Sequence, residues 1–328
     1  MKKIIVTGGC GYIGSQVVND LIESSNYEVI VIDNLSTGSK ILLNKKAKFF
    51  KVDIKNTKKI FDLVKNFNNI EAIFHFAGSL SVEESQKNPL KYYTNNVLGT
   101  KSILKICAKM KISKIIFSST CSIFGNANGK VHEENSAVPE SNYGLSKLFS
   151  EIIVKNYSIK YKFKYAILRY FNVIGADRKL RTGQISGKTL FKNLSKNIAQ
   201  NNYIAKIYGR NYETKDGTCI RDYIDVNDLS KLHILSLIKL KNSNSFTLNC
   251  GYNKGYSVLD IIKFFEKKIN KKIKLKFLKK RLGDVASVYS DNKKLKKIFP
   301  HWKRTYSLGD SIAFSIAWEK KLKFKYQR

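Results

Sequence analysis

The feature that most constrains the fold is a glycine-rich turn near the start of the chain. The apolar run at residues 3–7 leads directly into Gly8-Gly9-Cys10-Gly11-Tyr12-Ile13-Gly14, and residues 12–23 have the pattern of a helix. Gly8, Gly11 and Gly14 therefore follow the spacing G-x-x-G-x-x-G. Glycine permits positive φ, and its missing side chain lets an anion approach the backbone N–H groups at a helix N-terminus. This strand–turn–helix unit is typical of a dinucleotide-binding α/β fold.

Two acidic residues end the next apolar runs. Asp33 stands 19 residues after Gly14, directly after the run at 29–32. A carboxylate there accepts hydrogen bonds from the adenosine ribose hydroxyls and repels a 2′-phosphate, so the sequence predicts NAD rather than NADP. Asp53 follows the run at 48–52 and could hydrogen-bond the adenine; the alternative is an acid at the start of the following helix.

The first half of the chain alternates between short apolar runs and helical patterns. The runs are at residues 3–7, 29–32, 48–52, 72–76, 114–118 and 165–170, and the helices are predicted at 12–23, 57–67, 90–110 and 143–160. Continuous apolar strands joined by helices indicate a parallel sheet buried on both faces. We therefore predict an α/β protein with a doubly wound parallel sheet of the Rossmann type.

After residue 170, short apolar runs and helical patterns no longer alternate regularly. Residues 177–188 and 208–220 resemble loops, helices are predicted at 227–240, 258–268 and 308–323, and a strand is predicted at 246–249. We expect residues 1–170 to form an NAD-binding domain. Residues 171–328 should form mainly a smaller C-terminal substrate domain, with some segments returning to the first.

Composition excludes several other classes of protein. The chain of 328 residues carries 60 Lys plus Arg against 25 Asp plus Glu, a net charge of +35, but only eight of the basic residues are Arg. The charge is spread along the whole length, which favours a solvated lysine-rich surface over a nucleic-acid footprint. The five cysteines and four histidines lack metal-ligand spacing, so no metal is expected. No apolar run is long enough to cross a membrane, and a cytoplasmic location is expected.

A tyrosine, a lysine and a hydroxyl residue form the candidate catalytic group. Tyr143 and Lys147 are four residues apart on a predicted helix and therefore share one face. A neighbouring ammonium and a cationic nicotinamide would favour the phenolate, so we expect a lowered pKa that makes Tyr143 a general base. The segment after the strand at 114–118 offers Ser118, Ser119, Thr120 and Ser122, and of these Thr120 is favoured to bridge the substrate and Tyr143.

Ordered motifs along most of the chain support this reading. They are TGGCGYIG at 7–14, DNLSTG at 33–38, HFAG at 75–78, PLKYYTNNV at 89–97, YGLSK at 143–147, LRYFN at 168–172, DGTCIRDYI at 216–224 and RLGD at 281–284. Through them the chain resembles the extended short-chain dehydrogenase/reductase family and, within it, the UDP-glucose (UDP-galactose) 4-epimerases. The resemblance implies tightly held NAD, a UDP-hexose site between the two parts and a homodimer. It also implies inversion of carbon four through a transient 4-keto sugar.

The resemblance also assigns roles by matching position. NAD contacts are implied for the glycine loop and for Tyr12, Ile13, Asp33, Asn34, Asp53, Ile54, Phe76, Ala77, Gly78, Lys147 and Tyr170. Substrate contacts are implied for Asn96, Thr120, Tyr143, Asn172, Arg221, Arg281 and Asp284. Within these sets, Tyr143 is the base, Lys147 holds the nicotinamide ribose, and Arg221 and Arg281 grip the diphosphate, as guanidinium groups do. The alternative for the two arginines is surface ion pairs.

Departures from the family pattern leave rival interpretations open. Leu80 stands where some members carry Lys, Asp225 replaces His, and Val288 replaces an aromatic residue that we interpret as a wall near the hexose, unless Tyr289 is that wall. A small wall would also admit UDP-N-acetylhexosamines. Cys121 and Ser122 follow Thr120, where sugar dehydratases have an acidic pair, which argues against dehydration. The rivals left open are a UDP-sugar reductase or dehydratase of the same fold, and a non-catalytic NAD-binding regulatory or nucleic-acid-associated protein.

Overall fold

A computed structural model of the chain describes residues 1–281 and 283–326. Within this part, the strands are β1 (Lys2–Thr7), β2 (Tyr27–Asp33), β3 (Lys48–Lys51), β4 (Ile70–His75), β5 (Lys114–Thr120), β6 (Gly129–Val131), β7 (Lys164–Tyr170), β8 (Asn172–Ile174), β9 (Ile204–Tyr208), β10 (Ile220–Arg221), β11 (Tyr223–Asp225), β12 (Phe246–Cys250), β13 (Tyr256–Ser257), β14 (Lys274–Leu278) and β15 (Ser287–Ser290).

The helices of the same residues are α1 (Tyr12–Glu23), α2 (Thr57–Val64), α3 (Val82–Lys87), α4 (Pro89–Tyr92), α5 (Gly99–Lys109), α6 (Asn142–Tyr161), α7 (Leu190–Ala199), α8 (Val226–Asn242), α9 (Val258–Ile269), α10 (Lys293–Ile298) and α11 (Leu308–Tyr326). In the described residues, no helix combines the length and apolar character that crossing a membrane requires.

The chain divides into two compact units. The first consists of Met1–Gly125, Ser136–Arg169 and Ser230–Leu248, and the second of Asn126–Asn135, Tyr170–Leu229 and Asn249–Arg328. The division at residue 170 into an NAD-binding and a substrate domain is a functional prediction, which the packing of the chain does not test.

A seven-stranded sheet in the order β12-β7-β5-β4-β1-β2-β3 forms the centre of the first unit. β1 pairs in parallel with β2 and with β4, and the outer pairs β2–β3 and β4–β5 are parallel too. The strands meet in one buried cluster that includes Ile5, Ile30, Ile73, Ile115 and Ile167. Apolar residues dominate both strand faces because helices cover them, and the predicted doubly wound fold class is confirmed.

The predicted helix at 90–110 differs from the structure in one respect. It is interrupted by a π-helical turn over Tyr93–Leu98, which separates α4 from α5. The turn contains Asn96, whose side chain bonds the backbone of Ser79 and the hydroxyl of Ser146. Such insertions are frequent at functional sites because they re-aim a side chain without ending the helix.

The second unit contains several short strands that the sequence did not predict. They form a four-stranded sheet, β13-β10-β15-β6, and the two pairs β11-β8 and β14-β9. The helices predicted at 227–240, 258–268 and 308–323 correspond to α8, α9 and α11, and the strand predicted at 246–249 is β12. The helices α7 and α10 were not predicted. A buried cluster that includes Ile174, Phe191, Ile207, Phe265 and Ile312 forms the core of this unit.

Candidate active site

The glycine-rich turn lies at the switch point of the large sheet, where β4 and β2 flank β1 on opposite sides. Gly8 has φ +73, and a Cβ there would lie 2.6 Å from the backbone nitrogen of Ala77, just after β4. A Cβ on Gly14 would lie 2.3 Å from the carbonyl oxygen of Gly8, so α1 can pack against the turn only without a side chain at this position. Ligands of open α/β sheets bind at such switch points, beyond the carboxyl ends of the strands.

The turn also fits the phosphates of a dinucleotide. Gly11 is the N-cap of α1 and offers no side-chain oxygen to the first N–H groups of the helix. A Cβ on Gly11 would meet only one atom within 4 Å, the carbonyl oxygen of Gly8 at 3.2 Å. The space beside Gly11 is therefore open, and Tyr12 and Ile13 begin a helix whose positive end faces it.

Asp33 is held rigidly at the end of β2. Its Oδ2 accepts a hydrogen bond from the backbone N–H of Cys10 (3.0 Å), and its Oδ1 accepts one from Leu35 (2.8 Å). Burial raises the pKa of this carboxyl, and the two backbone N–H groups oppose that shift. A carboxylate accepts about four hydrogen bonds, so lone pairs remain for two ribose hydroxyls.

Asn34 and Asp53 form a second polar pair on this side of the sheet. The Nδ2 of Asn34 donates to the Oδ2 of Asp53 at 3.2 Å. Asp53 belongs to the turn before α2, where its Oδ1 accepts the N–H of Lys55, while Asn56 is the N-cap of the helix. Ile54 is buried in the core, with its Cδ1 2.4 Å from where a Cβ on Gly99 would lie.

The candidate catalytic residues come together in the first unit. Tyr143 and Lys147 lie on the first turns of α6, whose N-cap Ser141 accepts the N–H of Gly144. Thr120 is the last residue of β5, and its hydroxyl lies close enough to the phenol of Tyr143 to act on the pKa of that phenol. The Oγ1 of Thr120 also accepts the N–H of Ser122 at 3.1 Å, which fixes its rotamer.

Burial dominates the ionisation of this group. It raises the pKa of Tyr143 to about 12, and the nearby hydroxyl of Thr120 only partly opposes the shift. It also lowers the pKa of Lys147 to about 8, against the opposing charge of Glu151. Lys147 is not among the causes of this shift, so its ammonium does not by itself lower the pKa of Tyr143. The expected lowering by the ammonium together with a nicotinamide charge stays a prediction.

A buried ion pair of Glu151 and Arg169, which was not predicted from the sequence, acts on Lys147. Glu151 lies one helical turn after Lys147, and both of its oxygens accept hydrogen bonds from Arg169, at 3.0 and 2.8 Å. Ser119 donates to the same carboxylate at 2.5 Å. The Nζ of Lys147 lies 4.5 Å from the centroid of the Phe117 ring. The spacing of Tyr143, Lys147 and Glu151 at i, i+4 and i+8 is the signal that would have revealed this support.

The remaining predicted residues of the first unit lie after β4 and in the π-helical turn. Gly78 follows Ala77, and a Cβ on Gly78 would lie 3.2 Å from the Oδ1 of Asn96. The ring of Phe76 lies 4.9 Å from that of His233 on α8. Asn96 is buried, with its amide bonded to Ser79 and Ser146, so it positions the loop after β4 against α6.

Five predicted residues lie in the second unit. Tyr170 is buried at the end of β7, and Asn172 is exposed in β8, where it pairs with Tyr223. The guanidinium of Arg221 donates to the carbonyl oxygens of Ile220 (2.8 Å) and Val285 (2.7 Å). The Cζ of Arg281 lies 3.6 Å from the ring centroid of Tyr208.

Arg281 and Asp284 belong to one turn, in which the N–H of Asp284 donates to the carbonyl oxygen of Arg281 at 3.4 Å. Neither Arg221 nor Arg281 forms an ion pair within residues 1–281 and 283–326. Surface ion pairs, the alternative considered for the two arginines, therefore do not describe them. Both guanidiniums act on the pKa of Tyr212, and in the described residues neither is in an ion pair, which suits the binding of a diphosphate. Across the described residues, no cluster of His, Cys, Asp or Glu could hold a metal ion.

Comparison with known proteins identifies the family. Residues 4–251 match the NAD dependent epimerase/dehydratase family. The chain belongs to this family. It is 36% identical to the UDP-glucose 4-epimerase of Bacillus subtilis over 333 residues, 96% of each chain. The matched residues include the central sheet, the glycine turn and α6.

Solved structures of related enzymes have the same fold. The UDP-glucose 4-epimerase of Bifidobacterium longum, in complex with NAD+ and UDP, matches with a TM-score of 0.91 at 32% identity, over 98% of each chain. The UDP-Glc/GlcNAc 4-epimerase of Campylobacter jejuni matches with a TM-score of 0.83 at 36% identity, over 98% of this chain and 100% of that one.

The departures noted in the sequence have different structural settings. Leu80 is exposed. Asp225 is fully buried, where its carboxylate accepts hydrogen bonds from Ser311 and Asn227. It is therefore part of the internal framework of the second unit. The role of each site residue toward NAD or sugar stays a prediction.

Proposed function

We propose that this chain is an NAD-dependent 4-epimerase that interconverts UDP-hexoses differing at carbon four, such as UDP-glucose and UDP-galactose. The observation that carries the proposal is a set of residues in one unit: Tyr143 and Lys147 on one helix face, and the Thr120 hydroxyl close enough to act on the phenol of Tyr143. The same unit contains the glycine turn suited to a dinucleotide. Relatives that share the fold along nearly the whole chain are 4-epimerases, and their NAD and UDP complexes support the same ligands here.

Different residues of the chain have different roles in the reaction. Thr120 and Tyr143 receive the 4-hydroxyl of the sugar, and Tyr143 removes its proton and later returns it. Lys147 holds the nicotinamide ribose and keeps a positive charge near the phenolate. NAD, held by the glycine turn, Asp33 and Lys147, would supply a reversible hydride acceptor for carbon four of the sugar. Arg221 and Arg281 retain the diphosphate while the sugar turns, so product and substrate share one anchor.

The direct test is an assay of the purified protein with UDP-galactose and no added NAD. The expected result is UDP-glucose at a fixed equilibrium ratio, with NAD released on denaturation, because the net redox change is zero. A dehydratase or reductase would instead give a keto or a reduced sugar. Accumulation of either product, or no turnover by protein that contains NAD, would contradict the proposal.

The range of sugars depends on the wall near the hexose, for which we favour Val288. Val288 is buried in β15 and pairs with Arg221 of β10, so both side chains lie on one face of that sheet. Tyr289 points to the opposite face, with its ring against Gly255. A valine beside the diphosphate anchor leaves volume for an N-acetyl group. We therefore propose that UDP-N-acetylglucosamine and UDP-N-acetylgalactosamine are also substrates.

Replacing Val288 with Tyr is expected to reduce kcat/KM for UDP-N-acetylgalactosamine about tenfold or more while largely preserving that for UDP-galactose. The larger ring fills the space of the acetyl group, and steric exclusion from a packed pocket costs about 1–3 kcal/mol. Tyr289→Phe serves as the matched control and should leave the ratio unchanged. If Val288→Tyr left the ratio of kcat/KM for UDP-N-acetylgalactosamine to kcat/KM for UDP-galactose unchanged, Val288 would not be the wall near the hexose.

The chain should also form a homodimer through α6. Phe149, Ile152 and Ile159 are exposed and lie on one face of this helix, and Leu98 is exposed in the π-helical turn. No lysine interrupts that face at positions 149, 152, 156 and 159, although the chain as a whole has a net charge of +35. A neutral apolar stripe in so basic a protein suits a second copy of itself across a two-fold axis.

Ile152→Glu is therefore expected to convert a dimer into a monomer, because it places two like charges at the centre of the contact. Sedimentation equilibrium would measure the mass. Lys160→Glu, at an exposed position of the same helix, should leave the dimer intact. A monomeric wild type, or an Ile152→Glu variant that stays dimeric, would exclude this surface.

A cytoplasmic location and a role in galactose metabolism complete the proposal. The five cysteines, all within the described residues, form no disulfide with one another. Unlinked cysteines are typical of a reducing compartment. Nucleotide sugars as substrates suit the same place.

A further inference from the structure

The hydroxyl of Tyr212 is a buried polar group without a hydrogen-bond partner in the described residues. The side chain is 94% buried, with a relative exposure of 6%. An unsatisfied buried hydroxyl costs about 1–3 kcal/mol, so native proteins rarely keep one without a reason. A ligand that bonds this oxygen during the working cycle is such a reason.

The loop before β10 is built to hold this ring in place. Gly209 has φ +86, and a Cβ there would lie 2.4 Å from the Cε2 of Tyr212. The N–H of Tyr212 donates to the carbonyl oxygen of Gly217 at 3.1 Å. The Nζ of Lys280 lies 4.6 Å from the ring centroid. The ring is therefore fixed by its backbone and by contacts with its faces, and the hydroxyl contributes nothing to its placement.

The charges around the hydroxyl are those of the proposed diphosphate site. Burial raises the pKa of Tyr212, Asp284 and Cys219 raise it further, and Arg221 and Arg281 lower it. Both guanidiniums are therefore within electrostatic reach of the oxygen. Because the raised pKa keeps the phenol protonated, Tyr212 can act as a hydrogen-bond donor throughout the physiological pH range.

The two arginines differ in how firmly they are held. Arg221 is fixed by the carbonyl oxygens of Ile220 and Val285. Arg281, within residues 1–281 and 283–326, is held by its face-on contact with the Tyr208 ring rather than by hydrogen bonds. Such a contact is worth about 0.5–2 kcal/mol, so an anion can compete for this guanidinium.

We propose that Tyr212 is a positioning residue that donates a hydrogen bond to the diphosphate of the bound UDP-sugar, beside Arg221 and Arg281. The proposal rests on the proposed UDP-hexose function. The diphosphate supplies the hydroxyl with the partner that the described residues around it do not supply. The bond forms equally in the ground state and the transition state, because the diphosphate takes no part in the chemistry.

The test is Tyr212→Phe in the NAD-containing protein. We expect about tenfold weaker UDP binding by calorimetry and about tenfold higher KM for UDP-galactose, as hydrogen bonds to charged groups are strong. The kcat should not change, because a uniform binding contact is lost. The affinity for uridine should also be unchanged. The melting temperature without UDP should stay the same or rise, because an unsatisfied hydroxyl is removed from the interior.

Tyr252→Phe is the matched control in the same unit. Its hydroxyl is satisfied, donating to the Oδ2 of Asp228 at 2.7 Å and accepting the N–H of Asp225 at 3.2 Å. It should show the opposite pattern, a lower melting temperature with unchanged UDP affinity. Unchanged UDP affinity in Tyr212→Phe, or an equal loss for UDP and uridine, would overturn the assignment. If the wild type binds UDP but turns over no sugar, the proposed function fails while the UDP titration still decides the role of Tyr212.

Discussion

Tyr143→Phe is expected to reduce kcat with UDP-galactose by about 10³-fold or more, within the range that general acid–base groups contribute. The variant retains the ring and loses only the oxygen that takes the proton. The NAD content should not change, because the glycine turn and Asp33 supply contacts of their own. Both quantities are measured on the same preparation, the turnover by product analysis and the NAD by its absorbance after denaturation.

Tyr92→Phe is the matched control for this variant. Tyr92 is also buried, its ring lies 6.3 Å from that of Tyr143, and its hydroxyl donates to Glu84. It should retain most of the activity, although removal of its hydrogen bond to Glu84 will cost some stability. If Tyr143→Phe retained a tenth of wild-type turnover, another group would have to be the base.

Arg221→Met is expected to raise the KM for UDP-galactose about 100-fold with a smaller effect on kcat. The long apolar side chain preserves the packing but removes a charged fork that binds phosphate, an interaction worth about 1.5–3 kcal/mol. Arg221→Lys should give an intermediate KM, because the charge remains and the two-pronged geometry is lost. Initial-rate kinetics across a range of substrate concentrations separates the two parameters.

Arg304→Met is the control for a general loss of positive charge. Arg304 is exposed in the second unit, with its guanidinium over the Tyr252 ring. The KM of Arg304→Met for UDP-galactose should remain within twofold of the wild-type value. Melting temperatures of all three variants would show whether the bonds of Arg221 to Ile220 and Val285 matter for folding. A KM for Arg221→Met close to that of the wild type would place the diphosphate elsewhere.

The parts of the fold that the sequence predicted are those determined by local pattern. β1, α1 and β2 follow from an apolar run, a glycine turn and a helix within about thirty residues, as expected of this unit. The strands of the second unit are too short for a period to be visible, since β10 and β13 have two residues each. Their partners are also distant in sequence: β6 at 129–131 pairs with β15 at 287–290. No local signal marks such a pairing.

The candidate site could likewise be predicted from the sequence only in part. The spacing of Tyr143 and Lys147 places both on one helix face, and that can be read from the sequence. The direction of the pKa shift of Tyr143 could not be, because it depends on how completely the packed protein excludes water from the phenol. The unpartnered hydroxyl of Tyr212 is likewise invisible until the loop is folded around it. The burial of a side chain depends on the packing of the whole fold, so it cannot be predicted from a short segment of sequence.

The placement of Tyr143, Lys147 and Glu151 along a single helix bears on how such a chain can diverge. Their mutual distances follow from the pitch of α6, and the anchors of the last two, Phe117 and Arg169, lie on neighbouring strands of one sheet. This geometry is set by α6 and the central sheet and does not depend on the exposed side chains of the protein. Exposed positions can therefore be replaced by lysine during evolution while the distances between Tyr143, Lys147 and Glu151 stay the same.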